Sequence, residues 1–255
     1  MFQNYLITAL RNFARHKFYS FINIAGLTVG LACAIFIILF VRDQLSYDRW
    51  IPGSENLYRV EHTFALPGQA PMPGTQTPYL VPQAMLDQIP EVKARTRFIR
   101  NRATVFIGKK QFAETIDSVD PNYFQVIRLP LAAGNPASVF AQPDSAVLSE
   151  TLARKYFGDA PALGKTITIS AEYCDLQGEN CQARQYPMAV TGILRDLPHN
   201  TQIKADLLIP NTSKADPTSL DAKVNWLHIE GWGYVLLQPG ADPGAVTAKL
   251  ATIID

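Results

Sequence analysis

Net charge is almost absent from this sequence: 23 Lys and Arg oppose 22 Asp and Glu, leaving +1. A nucleic-acid binder needs a concentrated basic surface, and that balance offers none. Cysteine is scarce, at three residues, and histidine is limited to four. His62, His199 and His228 are scattered, and no His-x-x-His or Cys-x-x-Cys spacing occurs. The common zinc frameworks are thereby excluded. Gly-x-Ser-x-Gly elbows, phosphate-cradling P-loops and dinucleotide glycine fingerprints are missing too. No residue is assigned a catalytic, cofactor-binding or metal-binding role. Asp and Glu are as plentiful as on any soluble surface and single out no glycosidase-like pair.

Extreme hydrophobicity is confined to one run, Phe21 to Val41. It holds no charge, and only Asn23 and Thr28 are clearly polar. As a helix it reaches about 31 Å, the thickness of a bilayer core. A helix buried in a soluble domain rarely stays apolar on every face for that length. A cleaved signal peptide has a shorter core ending in small residues, whereas this one ends Leu39-Phe40-Val41-Arg42. Lipid attachment at Cys33 would leave the new N-terminus inside the membrane, because Ala34 to Val41 are still apolar. Residues 21–41 therefore read as one transmembrane helix.

Flanking charge orients it. Arg11, Arg15 and Lys17 precede the run, while Arg42, Asp43, Asp48, Arg49 and Glu55 follow with no basic excess. Basic residues are retained in the cytoplasm, so residues 1–20 stay inside and the chain after Arg42 lies outside. Phe2, Tyr5, Leu6, Ala9, Leu10 and Phe13 recur at helical spacing, so residues 1–20 read as a cytoplasmic amphipathic helix at the interface. Within the span, Gly26, Gly30 and Ala34 line one face and form a candidate helix-packing surface.

From Leu45 onward strand and helix periods mix. Strands are expected at 57–64, 96–99, 104–107, 111–119, 166–170, 186–194, 205–209 and 233–238. Gly108-Lys109-Lys110 is a hairpin candidate. Helices are expected at 79–89, 121–126, 148–156 and 242–254, the last opened by Asp242-Pro243. The class is α+β: one transmembrane helix, then a two-lobed mixed α/β domain over residues 45–255. The ends share a strand-then-helix plan, so residues from about 120 to 225 read as a lobe inserted into a split domain. Cys174 and Cys181 lie in one loop on the oxidising side and form a candidate disulfide. Arg95, Arg97, Arg100 and Arg102 read as a charged edge strand, with contact to an acidic partner or lipid headgroups as the sharper alternative.

The stretches Ala9 to Asn12, His16-Lys17 and Phe21 to Gly30 resemble the start of MacB/FtsX-type ABC transporter permeases. Ser46 to Trp50, Leu57 to Val60, Val119 to Phe124 and Val147 to Glu150 continue the likeness. So do Lys155 to Gly158, Leu163 to Lys165 and Val190 to Leu194, in the same order. The outer region is similar to the MacB-like periplasmic core domain. The resemblance implies a non-catalytic permease portion in the bacterial inner (cytoplasmic) membrane, without cofactor. It implies a separate cytoplasmic ABC ATPase subunit, a homodimer, and a periplasmic adaptor or lipoprotein as further partner. ATP-driven closure of the ATPases would pass through the first two membrane helices to the outer domain, which drives export or release of substrate. Family permeases have four membrane helices, and the sequence stops at Asp255 before the second. Either the sequence is a fragment or truncated product, or the C-terminal permease helices lie on another chain. Macrolide-like compounds, peptides, siderophores and lipoproteins fit such a family equally. Two other readings fit the topology: a single-pass sensor or interaction ectodomain, and a membrane-anchored enzyme.

Overall fold

The computed structural model describes residues 5, 7, 11, 15–64, 68, 70–173, 182–216, 218, 226 and 229–254. The chain divides into two units, Met1–Tyr47 and Asp48–Asp255.

The first unit is dominated by helix α1, Lys17–Ser46, 30 residues long. None of its residues is buried, and Phe21, Leu27, Phe36 and Phe40 all stand exposed. It is long and apolar enough to cross a membrane. The helix outruns the apolar segment 21–41 at both ends, because hydropathy marks the bilayer core whereas helical hydrogen bonding continues into polar flanks. Thr28 Oγ1 donates to the Ile24 carbonyl at 2.7 Å, which satisfies one of the polar groups in the run. Lys17 to Ser20, expected in the amphipathic segment, form the first turn of α1. Most of that segment lies outside the described residues.

The second unit opens with a turn and a 3₁₀ segment, Ser54–Asn56. Strands β1 (Leu57–Val60), β2 (His62–Phe64) and β3 (Met72–Gly74) lead to helix α2 (Val81–Gln88). Then come β4 (Val92–Ile107), β5 (Lys110–Val119), α3 (Tyr123–Val126), β6 (Leu131–Ala133), β7 (Ser145–Ser149) and α4 (Glu150–Phe157). The chain continues through β8 (Thr166–Tyr173), β9 (Gln182–Leu194), β10 (Leu207–Pro210), β11 (Trp232–Leu237) and α5 (Pro243–Ile254).

Three local readings change. The expected strands 96–99 and 104–107 are one 16-residue strand, β4. Arg100, Asn101 and Arg102 look like a polar turn in sequence, yet all three pair with β5 in unbroken register. The expected strand 57–64 splits at Glu61: β1 joins the main sheet, whereas among the described residues β2 pairs with β3 in a separate two-stranded sheet. Helix α4 begins at Glu150 rather than 148, because Val147 and Leu148 are committed to β7. Ser149 caps it, its Oγ accepting from the Leu152 N–H at 3.1 Å. The β4–β5 hairpin turns on Gly108-Lys109, with Gly108 at φ 60 as a two-residue loop requires.

Six strands close a ring. β4 pairs β5, β5 pairs β10, β10 pairs β7, β7 pairs β9, β9 pairs β8, and β8 returns to β4. The β5–β10 and β7–β9 pairs are parallel and the others antiparallel. Closure removes the exposed edges that an open sheet of these strands would carry. Alternate residues of all six strands, among them Val105, Ile116, Leu148, Ile169, Met188 and Leu207, share one buried cluster. Leu152, Ala153 and Tyr156 of α4 complete it. The first half of β4 leaves the ring to pair with β11, which pairs with β1. A separate cluster there joins Val60, Met85, Val235 and Val246, from β1, α2, β11 and α5. A third gathers Phe98, Tyr123, Phe124, Ile203 and Leu208, with Ile51 from the opening turn.

Candidate functional site

The four arginines do not protect an edge. β4 lies inside the sheet, between β11 and β5, and the strand splits the arginines between its two faces. Arg95 and Arg97 project to one side and meet Asp120, the residue after β5. Arg97 donates from Nη2 to Asp120 Oδ1 at 3.0 Å and from Nε to Oδ2 at 3.2 Å. Arg95 Nη1 donates to the same Oδ2, and Asn211 Nδ2 reaches Oδ1 at 2.6 Å. Asp120 is only 3% exposed. Such a carboxylate is tolerable only because several charge-assisted bonds replace its water. The arginines extend the network to α2 and its approach. Arg95 Nε donates to Gln83 Oε1 at 2.9 Å, and Arg97 Nη1 to the Tyr79 carbonyl at 2.6 Å. Arg97 also lies over the Tyr79 ring at 3.7 Å.

Arg100 faces the other side and is paired across the strands with Asp117. It also donates to the Lys204 carbonyl and sits near the Phe98 and Trp232 rings, at 5.7 and 6.0 Å. Burial pushes the Asp117 carboxyl above the usual carboxylate range, and the Arg100 contact pulls it back only in part. The same contact raises the Arg100 guanidinium. Burial also drives the Tyr123 phenol well above its ordinary value, helped by the nearby Asp117 charge. Arg102 is exposed.

A second polar group lies where the domain begins. The Asp48 N–H donates to the Asn200 carbonyl at 3.1 Å. Its carboxylate Oδ1 accepts from Thr201 Oγ1 at 2.5 Å and from the Gln202 N–H at 3.1 Å. Asp48 has φ 57, the one positive value at a non-glycine among the described residues. Asp tolerates that region better than most side chains.

These groups bind protein to protein. The carboxylates of Asp117 and Asp120 are occupied by guanidinium donors, so neither stands ready as a general base. Among the described residues no group of three or more His, Cys, Asp or Glu is placed to hold a metal. Cys33 is free and exposed on α1. Cys174 and Cys181, the candidate disulfide, lie outside the described residues, as does His228. Gly26 and Gly30 have nothing within 4 Å of a Cβ position, and Ala34 is likewise exposed. The sequence assigns none of Asp48, Asp117, Asp120 and Thr201 to a site: Asp48 counts there only as flanking charge, and Asp120 only as the Asp120-Pro121 start of the helix 121–126. Asp48 and Asp120 do fall in stretches that carry the family likeness; nothing local marks Asp117 or Thr201.

Residues 20–253 match the family model of the MacB-like periplasmic core domain. The chain belongs to that family. A domain assigned to a permease protein of Porphyromonas gingivalis has TM-score 0.60 and 24% identity, covering 80% of this chain and 84% of that one. The periplasmic region of MacB from Actinobacillus actinomycetemcomitans has TM-score 0.50 and 16% identity, covering 79% and 83%. No curated protein matches the chain. The MacB-like assignment and the α+β class agree with the sequence reading. Within this MacB-like domain, the arginine–aspartate network ties β4 to α2, β5 and the turn after β10.

Proposed function

We propose that this chain is the N-terminal portion of an ABC transporter permease, coupling cytoplasmic ATP hydrolysis to export or release of substrate outside. The observation that carries the reading is that one family match runs through both α1 and the outer domain. In this reading α1 spans the bacterial inner membrane with its N-terminus in the cytoplasm, following the Arg11, Arg15 and Lys17 flank. A separate ATPase subunit supplies the chemistry, and the permease part is not an enzyme. The bare Gly26, Gly30 and Ala34 face receives another permease helix, in a homodimeric assembly. A periplasmic adaptor or lipoprotein meets the outer domain. In this reading that domain works as two lobes: the β1–β11 layer with α2 and α5, built from both ends, and the inserted lobe of residues from about 120 to 225, whose ring is completed by β5 and the second half of β4, which precede residue 120. A Cys174–Cys181 bridge closes the loop between β8 and β9.

The test is purification of the tagged permease from its native membranes. Mass spectrometry should find an ABC ATPase in near-equal amount. A kinase or response regulator in its place would support the sensor reading instead. Alkaline phosphatase fused after Gly240 should be active, and inactivity there would reverse the orientation. Under denaturing, non-reducing conditions one thiol, Cys33, should react with maleimide, and three after reduction; three before reduction would remove the bridge.

A further inference from the structure

The segment joining β9 to β10, residues 195–206, has no strand or helix, yet it is held along its length. At its start, Asp196 accepts from the Thr151 N–H at 2.9 Å and from Arg154 Nη2 at 3.0 Å. At its end, the Asp206 carbonyl accepts from the Ser149 N–H at 2.8 Å, and its Oδ1 from Ser149 Oγ at 3.0 Å. Both ends are thus fixed to the β7–α4 corner. The middle is fixed elsewhere: Asn200, Thr201 and Gln202 all bond Asp48. Arg59 Nη1 adds a bond to Gln202 Oε1 at 2.9 Å, and Arg100 one to the Lys204 carbonyl.

Thr201 is 8% exposed, and its Oγ1 also accepts from the Ile203 N–H at 3.2 Å. The hydroxyl therefore relays between the Asp48 carboxylate and the backbone entering β10. Ile203 and Ala205 then enter the same apolar cluster as Ile51. β10 is the strand that links β5 to β7 within the ring. Asp48 follows α1 by a single intervening residue, Tyr47.

We infer that Asp48 and Thr201 form a coupling clasp, through which displacement of α1 is delivered to β10 and so to the six-strand ring. The inference rests on the permease reading for its source of motion. Asp48 is a positioning residue: its left-handed backbone aims the carboxylate and the N–H at one tripeptide, so the turn and the strap move together. The strap, residues 195–206, touches the opening turn, the β4–β5 sheet and the α4 corner.

Amide hydrogen exchange on the full chain in lipid nanodiscs tests the clasp. Asp48→Gly keeps the left-handed backbone and removes the carboxylate; Thr201→Val keeps the shape and removes the hydroxyl. Each should speed exchange at Gln202, Ile203 and Leu208 about tenfold, as loss of a buried hydrogen bond does. The double variant should exchange no faster than the singles, and amides of the β4–β5 hairpin should not change. Effects limited to residues 48–51, or additive effects, would overturn the clasp. Thr201→Val carries the test if Asp48→Gly loosens the hairpin too. In the assembled transporter, nucleotide should alter Leu208 exchange in wild type and not in the variants, with ATPase still bound. An equal nucleotide response in the variants would also overturn it. Failure of the wild-type chain to bind any ATPase would sink the permease reading and leave the nanodisc result standing.

Discussion

Arg100 and Asp117 face each other across adjacent antiparallel strands, Nε 2.8 Å from one carboxylate oxygen and Nη2 2.9 Å from the other. This two-pronged pair sits where β4 passes from its partnership with β11 to its partnership with β8. It holds a long strand in register at the point where the sheet changes from an open layer to a closed ring.

Replacing Arg100 by Gln leaves the buried Asp117 without its guanidinium. The expected cost is about 2 to 4 kcal/mol, below that of a fully enclosed pair because solvent still screens the arginine. The Arg100 side chain keeps 31% exposure, against 5% for Asp117. Urea unfolding of the outer domain measures it. An unchanged midpoint would mean the pair is dispensable.

The pH dependence has a defined sign. The folded Asp117 carboxyl is raised above its unfolded value by burial. The folded state therefore holds that proton more tightly, and stability falls as pH rises from the unfolded carboxylate pKa through the raised folded one. Below that window the penalty is absent; above it the penalty is constant. Asp117→Asn should remove this component. The stability of wild type relative to Asp117→Asn should then decline across the acid range, as thermal melts at stepped pH would record. A relative stability that climbs with pH would contradict the direction.

Asp120 holds two arginines and an asparagine at one buried point. Asp120→Ala leaves both guanidinium groups facing each other with no anion between them. A loss of about 3 to 5 kcal/mol is expected, the usual range for breaking a buried charge pair. Asn211→Ala removes a neutral amide that donates to Asp120 and to Tyr79 Oη, and should cost about 1 to 2 kcal/mol, less than loss of the buried charge. Chemical denaturation of both variants checks the order; equal losses would mean that Asp120 is not the centre of the network.

Two glycines with positive φ should behave differently. Gly231 has φ 80, and a Cβ there would lie 2.4 Å from the Phe98 carbonyl and 2.6 Å from Ile99 Cγ1. Gly108 has φ 60 with nothing within 4 Å. Gly108→Ala therefore carries backbone strain alone, about 1 kcal/mol. Gly231→Ala adds a backbone collision where β11 meets β4, and should cost about 3 kcal/mol or more. Paired thermal melts compare them, and similar melting temperatures would refute the distinction.

On α1, a Cβ added at Gly30 has nothing within 4 Å among the described residues, so with Gly30→Leu the helix itself should persist by circular dichroism. If the small-residue face receives another permease helix, the added side chain should weaken assembly with the remaining permease helices and their ATPase. Unchanged co-purification would remove the packing role.

Much of this organisation is legible along the chain. The run from Phe21 to Val41 needs no tertiary information, because a charge-free stretch of bilayer length has few other uses. The Gly108-Lys109 hairpin and the Asp242-Pro243 helix start are equally local, each governed by the backbone preferences of adjacent residues. The ordered short motifs, from Ala9 to Leu194, carry the family likeness for the same reason: each is contiguous. Arg95, Arg97 and Arg100 are where local reading fails, while Arg102 is exposed as local reading expects. Charge on a strand argues for solvent, and only the fold reveals Asp117 and Asp120 waiting on its two faces.

Helix α1, the α+β class and the family are readable without coordinates, since periodicity, run length and contiguous motifs express short-range physics. Long-range packing sets the closure of six strands into a ring, the separation of Arg95 and Arg97 from Arg100 into two networks, and the meeting of Asp48 with Thr201. Those last two residues lie 153 positions apart. A hydrogen bond depends on distance and angle in space, and no composition or periodicity encodes which distant donor a carboxylate will find.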